Sequence, residues 1–264
     1  MSSSGDSLKR AVQRLLRPAG YQLVRISRPE AEAPRPAPEP WSWLETLGIG
    51  TLVDVGANTG QFARHFRELR PDCLVYSFEP LRECFEELEA TMRGPGFTAF
   101  NVALGESEGE TTIMRSGFSP SSSLLAMETA HKDLYPFSAA ITPETVTLRR
   151  LDSYLDDITV RDGLLVKIDV QGAEAQVLKG GRRLLSRADA VIAEVGYLPL
   201  YRGQATIQQI AELLDGCGLA FMGIVDQIVR SPDALPVYGD ALFVRPSAVD
   251  HCQDQSPSPS PTPR

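Results

Sequence analysis

Histidine and cysteine are scarce, three residues of one and four of the other in a chain of 264. The cysteines (Cys73, Cys84, Cys217 and Cys252) show no Cys-x-x-Cys spacing. That excludes the common zinc and dithiol patterns and reads as reduced thiols of a cytoplasmic protein. No apolar run approaches the ~20 residues needed to span a bilayer, and no cleavable leader is evident, so a soluble chain is expected. A basic surplus is also missing. The formal net charge of −8 opposes a polyanion, so nucleic acid is not an expected partner. Two glycine signatures are absent as well, Gly-x-Gly-x-x-Gly and Gly-x-x-x-x-Gly-Lys-Ser/Thr. A dinucleotide pyrophosphate and a triphosphate both lose their usual cradle.

Apolar side chain is plentiful. At 42% hydrophobic residues the chain can bury one large core. Leu52-Val-Asp-Val-Gly-Ala-Asn-Thr-Gly60 reads as a buried strand, a tight turn between Gly56 and Gly60, and then a helix over Gln61–Leu69. Such a turn points backbone N–H groups and a helix N-terminus at a ligand. Its Gly-x-x-x-Gly spacing fits a nucleoside with no pyrophosphate. Glu79 lies 23 residues beyond Gly56, at the end of a second strand over Cys73–Phe78 and just before Pro80. An acidic side chain there is placed to accept both hydroxyls of a ribose. Together these features indicate an adenosine-type ligand.

Strands and helices continue to alternate. A helix is expected over Arg82–Met92 and a strand over Phe97–Leu104, with a hairpin into Thr111–Arg115. Strands over Leu164–Ile168 and Ala190–Val195 are followed by helices over Ala173–Leu185 and Ile207–Leu214. Strands over Leu219–Val225 and Ala241–Val244 close the set. This pattern predicts a mostly parallel sheet covered on both faces by helices. The pattern stops over 116–144, a candidate lid or acceptor pocket, or a mobile surface insertion. Three regions follow: an arm and linker over 1–40, a main domain over 41–246, and a disordered Pro/Ser tail over 247–264. Leu8, Val12, Leu15 and Leu16 share one helical face among Lys9, Arg10, Arg14 and Arg17. Such a face either packs on the domain or makes weak peripheral membrane contact through 8–28.

Chemistry concentrates in Lys167-Ile-Asp-Val-Gln-Gly-Ala-Glu174. Strand alternation puts Lys167 and Asp169 on one side, with Asp169 at the C-terminal edge facing the Asp54–Gly60 loop. Glu194, ending the next strand, completes a pair of carboxylates. The pair suits a cationic cofactor or deprotonation of an acceptor, and no metal is assigned to it. Glu174 either joins the site or complements its helix dipole. His131, the one histidine of the candidate lid, is a third candidate base beside Asp169 and Glu194.

Asp54-Val-Gly-Ala-Asn-Thr-Gly-Gln-Phe62, Phe78-Glu-Pro80, Asn101-Val-Ala-Leu-Gly105, Ser122-Ser-Leu124, Leu151-Asp-Ser-Tyr-Leu155, Lys167–Glu174 and Glu194 occur in this order. As a set they resemble the FkbM family of S-adenosylmethionine-dependent methyltransferases, over about Thr51–Arg245. The resemblance implies a class I methyltransferase (Rossmann-like) seven-stranded sheet of order 3-2-1-4-5-7-6 with its last strand antiparallel. It also implies methyl transfer from S-adenosyl-L-methionine, commonly to a hydroxyl of a sugar, polyketide or other small metabolite. Asp54, Gly56, Ala57, Asn58, Thr59, Gly60 and Phe62 would then surround the methionine portion. Glu79 and Pro80 would meet the ribose, Ala103 and Leu104 the adenine, and Asp169 the reacting methyl. Gln171, where the family often has Glu, would touch cofactor or acceptor. Two other readings compete: a cofactor-binding scaffold or membrane-recruited partner without turnover, and a nicotinamide-dependent oxidoreductase, which the missing third glycine disfavours.

Overall fold

The computed structural model describes residues 41–253 apart from Ala139 and Ser231. The arm over 1–40, with its expected helix and membrane contact, lies outside the described residues, as does 254–264. Strand β1 (Ile49–Val55) is buried along its whole length. It pairs in parallel with β2 (Leu74–Phe78) on one side and β7 (Gly163–Ile168) on the other. With β3 (Phe97–Phe100), β8 (Ala190–Gly196), β9 (Ala220–Val229) and β10 (Pro236–Val244) they form a seven-stranded sheet of order β3-β2-β1-β7-β8-β10-β9. Counting only this sheet's strands in chain order gives 3-2-1-4-5-7-6. The seventh, β10, runs antiparallel to both neighbours. This is the class I methyltransferase sheet expected from the sequence.

Both faces are apolar because both are covered, which is why the central strands read as unbroken hydrophobic runs. Val53, Val55, Val166, Ile168 and Val191 point to one side. There they meet Val177 and Leu178 of α5 (Glu174–Gly180) and Ile210 and Leu214 of α7 (Ile207–Asp215). Leu52, Leu165 and Ile192 point to the other side, against Leu44 of α1 (Trp43–Thr46), Phe66 of α2 (Gln61–Leu69) and Leu88 of α3 (Arg82–Met92).

Four expectations are corrected. The hairpin from strand three into Thr111–Arg115 does not form. The chain leaves the main sheet at Asn101, and β4 (Ala103–Leu104) and β5 (Gly109–Ser116) flank opposite edges of an unforeseen strand, β6 (Ile141–Arg149). The irregular stretch is therefore shorter than 116–144, and it carries a helix, α4 (Thr129–Leu134). The single helix expected over Ala173–Leu185 breaks at Gly181 into α5 and α6 (Arg182–Leu185). There Leu151 packs on Gly181, and Asp152 accepts the N–H groups of Arg183 (3.0 Å) and Leu184 (3.0 Å) as an N-terminal cap. The tail does not begin at 247. Pro246 opens a further helix, α8 (Pro246–Gln253), where its missing N–H costs nothing, and Val249 packs on the core.

The turn after β4 of the small sheet sits against helix α5 through a close backbone approach. At Gly180, near the end of α5, an added Cβ would overlap the Gly105 carbonyl oxygen. Backbone cannot yield as a flexible side chain can, so Gly180→Ala is expected to cost about 2 kcal/mol or more in urea unfolding. A stability equal to wild type would show that α5 and the turn at Gly105 do not meet this tightly.

Candidate active site

Three strand ends converge at the C-terminal edge of the sheet. The N–H groups of Gly56 and Ala57 both donate to the Phe78 carbonyl (3.0 and 3.1 Å), and Asp169 N–H donates to the Val55 carbonyl (3.0 Å). The loops after β1, β2 and β7 are thereby tied together at the topological switch point. Gly56 has φ +82°, and a Cβ there would overlap the Asp169 carbonyl oxygen, so only glycine lets these loops touch. Asn58, at φ 48°, donates its N–H to Glu79 Oε2 (2.9 Å). Glu79 Oε1 accepts from Leu81 N–H (2.8 Å), and the Asn101 side chain holds the Glu79 and Pro80 carbonyls (2.9 Å each).

Above this edge lies a cavity of about 750 Å³, ample for a nucleoside cofactor and part of an acceptor. Asp54, Gly56, Ala57, Asn58 and Phe62 line it from the first loop, and Glu79, Pro80, Ala103 and Leu104 from the second and the small sheet. Asp169, Gln171, Glu194 and His131 line it from the other side. Thr59 and Gly60 do not. Thr59 N–H is turned onto Asn58 Oδ1 (2.9 Å), and Gly60, at φ 89°, forms the left-handed entry to α2 against Leu88. They shape the turn without reaching the cavity. Glu174 is likewise absent from the cavity wall. Its Oε1 accepts from Val170 (3.2 Å) and Gly172 (3.0 Å) N–H groups, so it braces the loop beneath the site.

The charges are concentrated and dry. Asp54 is pushed up to about 7 by burial, which outweighs the nearby Lys167 ammonium. Its Oδ2 is buried without a hydrogen-bond partner among the described residues. Burial also lifts Glu79 and Glu174, each to about 7, against the backbone N–H groups that favour their charged forms. Glu194 is raised well above the usual carboxylate range, by burial first and then by Asp169 and Glu174. Lys167, 5% exposed, donates to Asp169 Oδ2 (3.1 Å), lies 3.6 Å from Asp240 Oδ1 and sits over the Phe62 ring. Burial acts to lower its pKa, but Asp169, Asp240, Asp54 and Glu194 together raise it, so the ammonium persists.

Gln171 occupies the centre of this group at φ 57°. Its Nε2 donates to both Asp169 Oδ1 (2.8 Å) and Glu194 Oε2 (2.9 Å), and its Oε1 accepts from the Tyr201 hydroxyl (2.7 Å). An amide bridges two carboxylates here where a Glu would add a third. His131 is 2% exposed, with Nε2 on the Tyr201 hydroxyl (3.1 Å) and Nδ1 on Ser138 Oγ (3.3 Å). Burial lowers its pKa, and both ring nitrogens are engaged within the protein. Tyr201 and Asp240 were missed in the sequence. Asp240 stands opposite Glu194 only through the antiparallel β8–β10 register, and Tyr201 lies in an irregular loop with no motif around it.

Three carboxyls titrating near 7 link pH to stability. The folded chain holds protons that the unfolded chain releases at the ordinary values of 3.8 for Asp and 4.5 for Glu. The raised groups therefore stabilise fully below about pH 4, and that contribution is lost as pH rises through about 7. Urea unfolding of the ligand-free protein is expected to show stability falling from about pH 5 to about pH 8, less steeply in Glu79→Gln. A stability that rises across this interval would contradict the burial of these groups.

A sequence profile of the Methyltransferase FkbM domain matches residues 54–220. The 2-O-methyltransferase NoeI of Sinorhizobium fredii (strain NBRC 101917 / NGR234) is 29% identical over 178 residues, 62% of this chain and 70% of its own. Methyltransferase sdnD of Sordaria araneosa is 30% identical over 155 residues, 49% of this chain and 59% of its own. Among solved structures, magnesium protoporphyrin IX methyltransferase (ChlM) from Synechocystis PCC 6803, with bound SAM, aligns at a TM-score of 0.44 and 14% identity, covering 77% of this chain and 75% of the other. With the profile spanning more than half its length, this chain belongs to the FkbM methyltransferase family, and its cofactor is S-adenosyl-L-methionine.

Proposed function

We propose that the protein methylates a hydroxyl oxygen of a small metabolite, a sugar, polyketide or similar compound, by in-line displacement. The observation that carries this reading is the Asp169 carboxylate at the cavity wall, held between the Lys167 ammonium and the Gln171 amide. The printed name of the relative NoeI, a 2-O-methyltransferase, supports an oxygen acceptor.

The residues present fit the cofactor. Each Glu79 oxygen takes one backbone N–H, which leaves acceptor capacity on both for a ribose diol. The unpartnered Oδ2 of Asp54 offers an acceptor to the methionine ammonium, and Ala103 and Leu104 form an apolar wall for adenine. When bound, S-adenosyl-L-methionine supplies an already activated methyl group, so the chain's own work is alignment and proton removal. Alignment alone can contribute roughly 7–11 kcal/mol.

An alcohol is a poor nucleophile, and a base adds about 10²–10⁴-fold. Of the three candidates, burial and then the acidic neighbours favour the neutral form of Glu194, and His131 has both ring nitrogens engaged. Asp169, a third exposed (34%), keeps lone pairs toward the cavity and is assigned the proton of the acceptor hydroxyl. The segment 117–138 closes the acceptor side with Phe118, Ser119 and Phe137, whose rings suit an apolar or sugar face.

Isothermal titration should give binding of S-adenosylhomocysteine and none of NAD, weakened about 10–100-fold in Glu79→Ala as charged hydrogen bonds are lost. Because diol binding favours ionised Glu79, whose pKa is about 7, binding near that pH should release protons, seen as a dependence of the heat on buffer ionisation. No binding of S-adenosylhomocysteine would end this reading. In a screen of hydroxylated acceptors, Asp169→Asn should lower turnover about 10²–10⁴-fold while the homocysteine analogue still binds. Near-normal turnover would remove Asp169 as the base.

A further inference from the structure

The reaction centre is connected to the acceptor-side segment by one side chain outside the cavity wall. Tyr201 is 3% exposed, and its ring packs on Gly172, where an added Cβ would come within 2.8 Å of it. Its neighbourhood is stitched to the segment 117–138 by backbone. Met127 bridges Tyr201, Glu128 N–H donates to the Leu200 carbonyl (2.8 Å), and Arg202 N–H donates to the Ala126 carbonyl (2.8 Å). Gln171 is held from the same side, its carbonyl accepting from Ser123 Oγ (2.6 Å).

The hydrogen-bond directions follow from chemistry. The Gln171 nitrogen lies on Asp169 Oδ1 and Glu194 Oε2, so its oxygen is turned to Tyr201 and can only accept. The Tyr201 hydroxyl therefore donates to Gln171 Oε1 (2.7 Å), nearer than the Ser121 carbonyl (3.4 Å). The Ser138 hydroxyl proton goes to the Tyr135 carbonyl (2.7 Å), so Ser138 Oγ accepts from His131 Nδ1–H, and Nε2 lies 3.1 Å from the Tyr201 hydroxyl. A continuous polar path runs from α4 through His131, Tyr201 and Gln171 to the Asp169–Glu194 pair. Burial foremost, then the nearby carboxylates, hold the Tyr201 phenol protonated, as a permanent donor needs.

We propose that Tyr201 is a positioning residue of this enzyme: its hydroxyl fixes the Gln171 amide so that both N–H groups clamp Asp169 and Glu194, and it ties that clamp to the placement of segment 117–138. The proposal rests on the methyltransferase reading of Asp169, and its test is independent of turnover. Without the hydroxyl, the amide oxygen loses its partner and the amide is free to turn off the carboxylates. Each carboxylate then loses a donor that favours its charged form.

The measurement is the carboxyl titration of Glu194 by ¹³C NMR of glutamate-labelled protein, assigned with Glu194→Gln. Glu194 is faced by Asp169 and Lys167 from β7, Glu174 from α5, Asp240 and Tyr238 from β10, and Tyr201 itself. In Tyr201→Phe its midpoint should rise by about one pH unit, the worth of one hydrogen bond to a charged group. Gln171→Met should raise it at least as much, and adding Tyr201→Phe to Gln171→Met should raise it no further. Amide exchange over 121–135 should quicken in Tyr201→Phe and not in Gln171→Met. An unchanged midpoint in folded Tyr201→Phe, or additive shifts in the double variant, overturns the proposal. Gln171→Met leaves the Tyr201 packing in place and guards against a variant that does not fold, since an unchanged midpoint there is equally fatal. S-adenosylhomocysteine titration of the same variants reports separately on the cofactor reading.

Discussion

The buried ammonium of Lys167 is the interaction on which the site depends. It projects from the middle of a parallel sheet into a group of four carboxylates, Asp169, Asp240, Asp54 and Glu194, supplied by four strands or strand ends. One positive charge cannot neutralise four negative ones in a dry setting. Burial foremost, and the neighbouring acids after it, raise Glu194, Asp54 and Asp240 above the usual carboxylate range, while Asp169 keeps the direct ion pair. A set of chemically similar acids is thus differentiated by burial first and then by the charges around each. Losing that cation would leave several buried acids uncompensated, which is far costlier than losing an exposed ion pair.

The fold serves this cluster by bringing loops from non-adjacent parts of the chain to one edge. The β1–β7 pairing, between strands separated by more than a hundred residues, sets Asp54 beside Lys167 in register and lets the glycine turn meet Asp169. The small sheet then covers one side of the cavity, and the segment 117–138 covers another. Packing at Gly56 admits no side chain, so this edge of the cavity is set by backbone against backbone.

Much of this was legible in residue order. The strand ends at Asp54, Glu79, Asp169 and Glu194 were readable because a buried parallel strand is apolar until it reaches the site, and a carboxylate there stands out. Period and turn chemistry also gave α2, α3 and α7 nearly at their observed ends. Strand β6 was illegible because its burial alternates weakly between exposed and half-buried positions and it carries Pro143. Long-range pairing, which local propensity does not encode, gives it a place. Asn101 and the Leu151–Leu155 stretch were readable as motifs but not as what they are, a clamp on the Glu79 turn and a helix cap.

Residue order by itself determined the layering, the glycine turn and the chemical identity of the acids, since hydrophobic period and backbone freedom are local properties. Only the tertiary structure decided how each acid is buried and which side chains hold it. Ionisation depends on burial and on neighbours such as Lys167, Asp240 and Tyr201, which lie far away in sequence and come together only when the sheet closes.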